Sequence, residues 1–222
     1  MIGRLSGLVA AYLLGSIPWA YIAGRLLKGI DLRRQGSGNL GATNVWRTLG
    51  LPTAIAVLLL DAGKGAITVL LFPELFNSGG AADLSVSLDA SRVFGSTGAE
   101  YWAIAYGAAA ILGHVRSIFL GWRGGGKGVA TAAGVFAALA PLPLAVAFGV
   151  FAVVLTVTRV MSLGSLVGAG ALPLAVAAVR GVTDPVFFLA LAVAAFVVWT
   201  HRTNIGRLRR GEEPRLGQKP SA

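Results

Sequence analysis

The sequence predicts an all-α, polytopic membrane protein in which about seven transmembrane helices form one compact bundle. Hydrophobic residues make up 55% of its 222 residues, charged residues make up 13%, and the mean hydropathy is +0.75. A soluble domain carries about 25% charged residues, so the composition favours a chain that lies mostly within a bilayer. The length fits a single domain over residues 1–222, of which residues 211–222 form a polar cytoplasmic tail.

Seven apolar segments are candidates for a span. A hydrocarbon core of about 30 Å needs roughly 20 helical residues. The fourth and fifth segments are short, and the Pro-Leu-Pro sequence at 141–143 between them is typical of a tight turn. In the alternative arrangement, with five spans, residues 129–157 form one bent or re-entrant unit. The segments are Leu5–Leu27, Leu51–Phe72, Glu100–Val115, Val129–Pro141, Leu142–Val157, Leu163–Val179 and Pro185–Thr200.

Basic residues predict the orientation of this seven-span arrangement. Fifteen of the 19 Lys and Arg residues fall on one side, whereas only Arg4, Arg92 and Arg180 fall on the other. Cytoplasmic loops carry the excess of Lys and Arg, so we expect the N-terminus outside and the C-terminus in the cytoplasm. Residues 77–97, rich in Gly, Ser and Asp, are expected in an external loop. The fifteen are Arg25, Lys28, Arg33, Arg34, Arg47, Arg116, Arg123, Lys127, Arg159, Arg202, Arg207, Arg209, Arg210, Arg215 and Lys219.

Charge and cysteine content exclude several classes of function. The net charge of +10 would suit a nucleic-acid-binding protein, but no basic helix or aromatic-interleaved domain accompanies it. The basic residues lie in short loops beside apolar segments, where they set membrane orientation, so no nucleic-acid partner is expected. Since the chain has no cysteine, disulfides, thiolate catalysis and zinc–thiolate sites are excluded.

A first glycine-rich cluster follows the first apolar segment, at residues 36–44. Its glycines allow tight turns in which successive N–H groups point at one anion. Its small polar side chains add neutral donors, and an arginine nearby adds a planar fork suited to phosphate. A helix expected to begin near Asn44 would favour negative charge at its N-terminus. A plain loop between two spans is the alternative. The predicted anion-binding residues are Gly36, Ser37, Gly38, Asn39, Gly41, Thr43, Asn44 and Arg47.

A second cluster has the spacing of a nucleotide-binding P-loop, with Gly121, four residues, Gly126 and Lys127. A P-loop continues with Ser or Thr to hold magnesium and follows a strand, whereas Gly128 stands here and an apolar segment precedes it. An NTPase is therefore excluded. Backbone N–H groups of Gly125, Gly126 and Gly128 together with the ammonium of Lys127 could still cradle a phosphate. A flexible basic linker is the alternative.

A third polar cluster follows the last apolar segment directly. A helix would bring His201 and Asn204 onto one face, with Arg207 beside them. An imidazole can accept a proton or donate to a phosphate near neutral pH. A lone interfacial histidine is usually incidental, and its two polar neighbours favour a functional interpretation.

Two charged residues lie near the middle of the second apolar segment. Asp61 and Lys64 are one helical turn apart, and charges at that depth are normally paired or face a cavity. A structural ion pair is one interpretation, and the lining of a polar substrate cavity is the other. His114, at the end of the third segment, is interpreted only as a marker of the interface.

Together these motifs closely resemble those of the bacterial acyl-phosphate-dependent glycerol-3-phosphate acyltransferases, over essentially the whole chain. Two departures stand out: the second motif is one glycine longer than usual, and Thr203 replaces the family's usual glutamate. The matching motifs are Asp31-x-Arg33-x-x-Gly36-Ser37-Gly38-Asn39-x-Gly41-Ala42-Thr43-Asn44-x-x-Arg47-x-x-Gly50, Asp61-x-x-Lys64-Gly65, Gly113-His114, Gly125-Gly126-Lys127-Gly128-Val129-Ala130-Thr131, Ser162-Leu163-Gly164-Ser165 and His201-Arg202-x-Asn204-Ile205-x-Arg207-Leu208.

The resemblance implies transfer of a fatty acyl group from acyl phosphate to the 1-hydroxyl of glycerol 3-phosphate. The products would be lysophosphatidic acid and phosphate, in the first step of phospholipid synthesis. Glycerol 3-phosphate, acyl phosphate and membrane lipid are the implied partners, no cofactor or metal is expected, and no obligate protein partner is evident. The expected location is the bacterial inner membrane, with the active site on the cytoplasmic face, where all three clusters lie in the seven-span arrangement.

The resemblance also implies roles for five catalytic residues. Ser37, Arg47 and Lys127 would bind and neutralise phosphate groups, and the second cluster would serve glycerol 3-phosphate. His201 and Asn204 would orient the second phosphate or the attacking hydroxyl. The base is either His201 or a substrate phosphate oxygen. Because acyl phosphate is already activated, positioning and charge stabilisation could suffice without an acyl-enzyme.

Another acyltransferase mechanism and a transport function are the two alternatives. A competing acyltransferase class needs a His followed five positions later by Asp, but Phe119 and Gly206 stand at that spacing from the two histidines of this chain. A transporter or flippase for a phosphorylated metabolite or lipid is the other alternative. It predicts anion contacts at mid-membrane and paired halves, whereas the donors here gather at segment ends and no internal repeat is visible.

Overall fold

A computed structural model describes residues 1–77 and 97–217 of the chain. Those residues form helices and loops with no strand, so the predicted all-α class is confirmed. The predicted external loop at 77–97 falls almost entirely outside the described residues. In chain order the described α-helices are α1 (Ile2–Ser16), α2 (Trp19–Lys28), α3 (Ala42–Leu49), α4 (Leu51–Leu70), α5 (Phe72–Asn77), α6 (Thr97–Val115), α7 (Val129–Leu139), α8 (Pro141–Thr158), α9 (Met161–Arg180), α10 (Pro185–Thr200) and α11 (Arg202–Arg209).

Five helical stretches in the described part of the chain are long and apolar enough to cross a bilayer. A sixth is possible if α10 and α11, which meet at a 61° bend, form one broken span. Helix α7 has 11 residues and is about 16 Å long, well short of a hydrocarbon core. The count of seven spans therefore stays a prediction. The five stretches are Ile2–Lys28, Leu51–Leu70, Gly98–Leu120, Pro141–Thr158 and Met161–Arg180.

Prolines shift two of the predicted helix boundaries. The first apolar segment breaks at Ile17 and Pro18, between α1 and α2, because a proline has no N–H to continue the helical ladder. The predicted turn at residues 141–143 is instead a break at the single residue Ala140, and α8 begins with Pro141. The first turn of a helix tolerates proline because its N–H groups have no intrahelical partner.

The described residues form two compact units, one ending at Leu139 and the other beginning at Ala140. In the first unit, α1 packs on α6 and α4 packs on α7. Glycines permit both approaches. A β-carbon at Gly113 would overlap the Tyr12 carbonyl of α1, and one at Gly134 would overlap the Ala62 carbonyl of α4. Such close contact between helix backbones at glycines is typical of tightly packed membrane helices.

In the second unit, α9 packs between α8 and α10. Gly168 of α9 faces α8, where a β-carbon would lie 3.0 Å from the Phe151 side chain and 3.1 Å from the Ala147 carbonyl. Arg180 and Asp184 form an ion pair of 2.8 Å at the turn into α10. The single-domain interpretation of the sequence stays a prediction.

Candidate active site

One buried amide folds the first glycine-rich loop. Asn44, in the first turn of α3, donates from Nδ2 to the carbonyls of Gln35 (3.0 Å) and Leu32 (3.3 Å). Its Oδ1 accepts the Ser37 N–H at 3.0 Å. Gly36 has a φ of +56° and lies so close to Asn44 Oδ1 that a β-carbon there would overlap it. The structure therefore uses the Asn44 amide to shape the loop.

A charged brace holds the chain just before this loop. Asp31 accepts from Arg33 Nε at 3.0 Å and from Arg33 Nη2 at 2.7 Å, and the guanidinium lies over the Tyr21 ring at 5.1 Å. The hydrogen bonds from the Arg33 side chain outweigh burial and lower the Asp31 pKa to about 2. This bidentate pair stays ionised at neutral pH and fixes the orientation of Arg33.

The first and second loops lie against each other. The Leu40 N–H donates to the Gly125 carbonyl at 3.3 Å, and Arg33 Nη1 donates to the Arg123 carbonyl at 3.4 Å. Residues 85 and 90 positions apart in the sequence thus meet through one backbone hydrogen bond and one bond from a side chain to a carbonyl. The structure brings the first two predicted clusters together within the first unit.

Two side chains predicted to bind phosphate lie at the surface of the first cluster. Ser37 lies on the loop and Arg47 on α3, and both are exposed. Helix α3 begins at Ala42, two residues before the expected start, and no side chain caps its N-terminus. The N–H groups of a first helical turn are donors that suit an anion. The remaining predicted residues of this cluster are exposed or half-buried, namely Gly36, Gly38, Asn39, Gly41 and Thr43.

The second loop leads directly into α7. Lys127 is half-buried and precedes Gly128, which has a φ of +85° and closes the turn into the helix. Gly126 is buried and donates its N–H to the His114 carbonyl at 3.2 Å, and Gly125 is half-buried. The second cluster therefore supplies a basic side chain and closely held backbone beside the start of a helix.

A group of three buried ionisable residues packs against this loop. Asp61 and Lys64 form the ion pair anticipated from their spacing, with Oδ1 and Nζ 2.9 Å apart. His114 Nδ1 lies 3.3 Å from the same carboxylate oxygen. The interpretation of His114 as a marker of the interface missed this contact, because Asp61 is more than 50 residues away and only the packing of α4 on α6 brings the two together.

In the second unit, His201 lies between α10 and α11 and is buried. Its Nδ1 lies 2.8 Å from the Val197 carbonyl. Because a carbonyl only accepts, the neutral ring carries its proton on Nδ1, and Nε2 keeps the lone pair that a base uses. Asn204 is buried and Arg207 half-buried on α11, so the structure brings the third predicted cluster together.

Glu213 organises that third cluster, a role that the sequence did not reveal. It accepts hydrogen bonds from Asn204 Nδ2 (2.5 Å), Ser162 Oγ (2.7 Å) and Arg207 Nε (2.7 Å). Burial would raise the Glu213 pKa, but these hydrogen bonds outweigh it and lower the pKa below its ordinary value. The available signal was a pair of acidic residues, Glu212 and Glu213, in a tail that is otherwise strongly basic.

Comparison with known proteins agrees on one family. Residues 5–211 match the family model described as glycerol-3-phosphate acyltransferase. The glycerol-3-phosphate acyltransferase of Parasynechococcus marenigrum (strain WH8102) is 43% identical over 213 residues, which are 96% of this chain and 89% of the relative. That of Geobacter sulfurreducens is 44% identical over 217 residues, which are 97% and 99% of the two chains.

Solved structures agree as well. The crystal structure of PlsY (YgiH), an integral membrane glycerol 3-phosphate acyltransferase, in its glycerol 3-phosphate form has a TM-score of 0.80 and 36% identity to this chain, with 96% of each chain covered. The lysophosphatidic acid form has a TM-score of 0.78 and 35% identity, with 96% of this chain and 95% of the other covered.

Proposed function

Because this chain belongs to the glycerol-3-phosphate acyltransferase family, we propose that it transfers a fatty acyl group from acyl phosphate to the 1-hydroxyl of glycerol 3-phosphate. The products are lysophosphatidic acid and inorganic phosphate. The two forms of PlsY are named for glycerol 3-phosphate and for lysophosphatidic acid, the acceptor and the lipid product of this reaction. In this reaction the chain binds two phosphate groups, one on glycerol 3-phosphate and one on the acyl phosphate donor.

The contact between the two glycine-rich loops carries this proposal. The backbone hydrogen bond from Leu40 to Gly125 gathers hydroxyl, guanidinium and backbone donors around one region of the first unit. Both substrates carry phosphate, so donors from two loops suit them better than one isolated anion site would. In the proposed arrangement the second loop, with Lys127, serves the phosphate of glycerol 3-phosphate. Ser37 and Arg47 neutralise phosphate charge on the first loop.

Transfer proceeds by direct attack in this proposal. The 1-hydroxyl oxygen bonds to the acyl carbonyl carbon, and the bond from that carbon to the phosphate oxygen breaks. Inorganic phosphate leaves with the bonding electron pair. The donor is a mixed anhydride and already activated, so the protein supplies orientation and stabilisation of negative charge. Arg47 is the cation suited to the leaving phosphate.

The hydroxyl proton has two candidate acceptors. His201 Nε2 carries a lone pair because Nδ1 faces the Val197 carbonyl, and a phosphate oxygen of the substrate is the other acceptor. Asn204, held by Glu213, would orient the hydroxyl or the second phosphate. Loss of the acidic limb of the pH–rate profile in the His201→Ala variant would assign the proton to His201, whereas an unchanged profile would assign it to the substrate.

Incubation of the purified protein with acyl phosphate and labelled glycerol 3-phosphate alone tests the proposed donor. We expect labelled lysophosphatidate and an equal amount of inorganic phosphate. A parallel reaction replaces acyl phosphate with acyl-CoA. Product with acyl-CoA and none with acyl phosphate would refute the donor assignment while leaving the acceptor intact.

The proposed location is the bacterial inner membrane, with glycerol 3-phosphate arriving from the cytoplasm. The excess of Lys and Arg in the glycine-rich loops and in the C-terminal tail supports this orientation. Glycerol 3-phosphate is soluble and the acyl chain is not, so a site at the membrane boundary serves both. The single-domain arrangement over residues 1–222 is part of the same proposal, and the family model supports it over residues 5–211.

A further inference from the structure

Three ionisable residues packed against the second loop take no part in the proposed chemistry, yet they are almost fully enclosed. Asp61, Lys64 and His114 are 2%, 3% and 7% exposed. One carboxylate oxygen of Asp61 lies 2.9 Å from Lys64 Nζ and 3.3 Å from His114 Nδ1. Both approaches are within ion-pair range, although neither has the alignment of a well-formed hydrogen bond. Burying three ionisable groups in a membrane helix pair is costly, so the cluster calls for a functional reason.

His114 connects this cluster to the second loop in two ways. Its carbonyl accepts the Gly126 N–H at 3.2 Å. Its ring faces the same residue, because a β-carbon built on Gly126 would overlap His114 Nε2. The imidazole thus lies between the Asp61 carboxylate on one side and the backbone of Gly126 on the other. The ring therefore packs directly against the loop at Gly126.

Lys64 extends the support to a third element. Its Nζ donates to the Ile17 carbonyl at 3.1 Å, at the break between α1 and α2. Helix α4 is held against α7 close by, since a β-carbon at Gly65 would overlap the Thr131 carbonyl in the first turn of α7. Three ionisable side chains, Asp61, Lys64 and His114, therefore connect the loop residues Gly125 and Gly126 to α4, to α6 and to the end of α1.

We propose that Asp61, Lys64 and His114 are positioning residues that set the backbone of Gly125 and Gly126 for the phosphate of glycerol 3-phosphate. This inference rests on the proposed function, in which the second loop serves that substrate. His114 acts by packing its ring against Gly126, Asp61 by holding the ring, and Lys64 by holding Asp61. None of the three touches substrate. A displaced loop weakens glycerol 3-phosphate binding and leaves the acyl phosphate contacts in place.

Steady-state kinetics of the His114→Ala and Asp61→Asn variants test this inference. We expect the KM for glycerol 3-phosphate to rise about tenfold for His114→Ala and about threefold for the isosteric Asp61→Asn. We expect kcat to stay within about twofold and the KM for acyl phosphate to stay unchanged. Thr68→Val is the matched control, because Thr68 is a buried polar residue of α4 that donates to the Gly65 carbonyl of its own helix.

A coupling experiment tests the contact itself. Gly126→Ala should raise the KM for glycerol 3-phosphate about tenfold in the wild-type background, because its methyl group collides with the imidazole. In the His114→Ala background the ring is gone, and the same substitution should add less than about twofold. The Asp61→Asn and His114→Ala double variant should be no worse than His114→Ala alone.

Three results would overturn the inference: a fall in kcat with KM unchanged, which marks a loss of folded enzyme; independent, multiplicative effects of Gly126→Ala and His114→Ala; or wild-type kinetics in both Asp61→Asn and His114→Ala. Equilibrium binding of labelled glycerol 3-phosphate without a donor keeps the test separate from the donor assignment. Variants that bind more weakly support the inference even if acyl phosphate proves to be the wrong donor. Failure of the wild type to bind glycerol 3-phosphate would refute both proposals.

Discussion

Ser37 is the exposed hydroxyl of the first loop, and its role separates direct transfer from an acyl-enzyme. Its N–H is engaged by Asn44 Oδ1 at 3.0 Å, so the loop positions the residue through its backbone. Ser37→Ala should lower activity about 10- to 100-fold, the loss expected for one hydrogen bond to a charged group. Hydroxylamine treatment of wild-type protein incubated with labelled acyl phosphate should release no acyl group. A labelled adduct that disappears in Ser37→Ala would overturn the direct mechanism.

At the scale of single residues, the sequence predicted which residue types take part in the chemistry better than it predicted which side chains contact one another. Glycine, hydroxyl and basic residues in three clusters predicted anion binding, and the structure brings the first two clusters together through Leu40 and Gly125. The sequence could not predict that the Asn44 amide forms its hydrogen bonds with the backbone of the loop, or that His114 lies against Asp61. Both depend on partners that only tertiary packing supplies.

Helix α11 depends on a residue outside it. Glu213 accepts from Asn204, Ser162 and Arg207, and the lowered pKa means that the folded protein favours the carboxylate form. That stabilisation is complete above the ordinary pKa of 4.5 and is lost as the pH falls below it through the folded pKa. The thermal midpoint of Glu213→Gln should lie below that of the wild type at pH 7, and the gap should narrow below about pH 4. A gap independent of pH would rule out the carboxylate charge as its cause.

The close packing of α4 on α7 depends on Gly65, and Gly63 in the same helix provides a control. A β-carbon at Gly65 would overlap the Thr131 carbonyl of α7, whereas Gly63 has open space around it. Gly65→Ala should destabilise the protein by about 1–3 kcal/mol. Gly63→Ala should be neutral or stabilise it by up to about 1 kcal/mol. Thermal unfolding in detergent compares the two variants, and equal midpoints would contradict the close approach of α4 and α7.

The sequence predicted which segments are helical, but it did not predict where each helix begins and ends. Each of the seven apolar segments is helical, because long apolar segments bury their backbone polar groups most simply in helices. The breaks at Pro18 and Ala140 depend on how the neighbouring turns satisfy their hydrogen bonds. Helix α7 (Val129–Leu139) is short, in agreement with the short fourth segment seen in the sequence.

The whole-molecule prediction concerns the sides of the membrane on which the termini lie. The chain has no cysteine, so Ile2→Cys and Gly217→Cys each introduce a single thiol near one end. In intact spheroplasts, a membrane-impermeant maleimide should label Ile2→Cys, which precedes the predicted first span, whereas Gly217→Cys should need permeabilisation, because the basic tail is expected in the cytoplasm. Labelling of both from outside would mean an even number of spans and would overturn the orientation proposed above.

The hydrogen-bonded partners described for the two glycine-rich loops lie before residue 140, and this has a consequence for biosynthesis. Leu40, Gly125, Gly126 and His114 have all been translated before α8 begins. Domains of a growing chain generally fold as units, the N-terminal one first. The proposed cradle for one substrate phosphate can therefore assemble at the translocon while His201, a proposed catalytic residue, is still to be synthesised. In the proposed scheme, phosphate recognition precedes catalytic competence in the lifetime of each molecule.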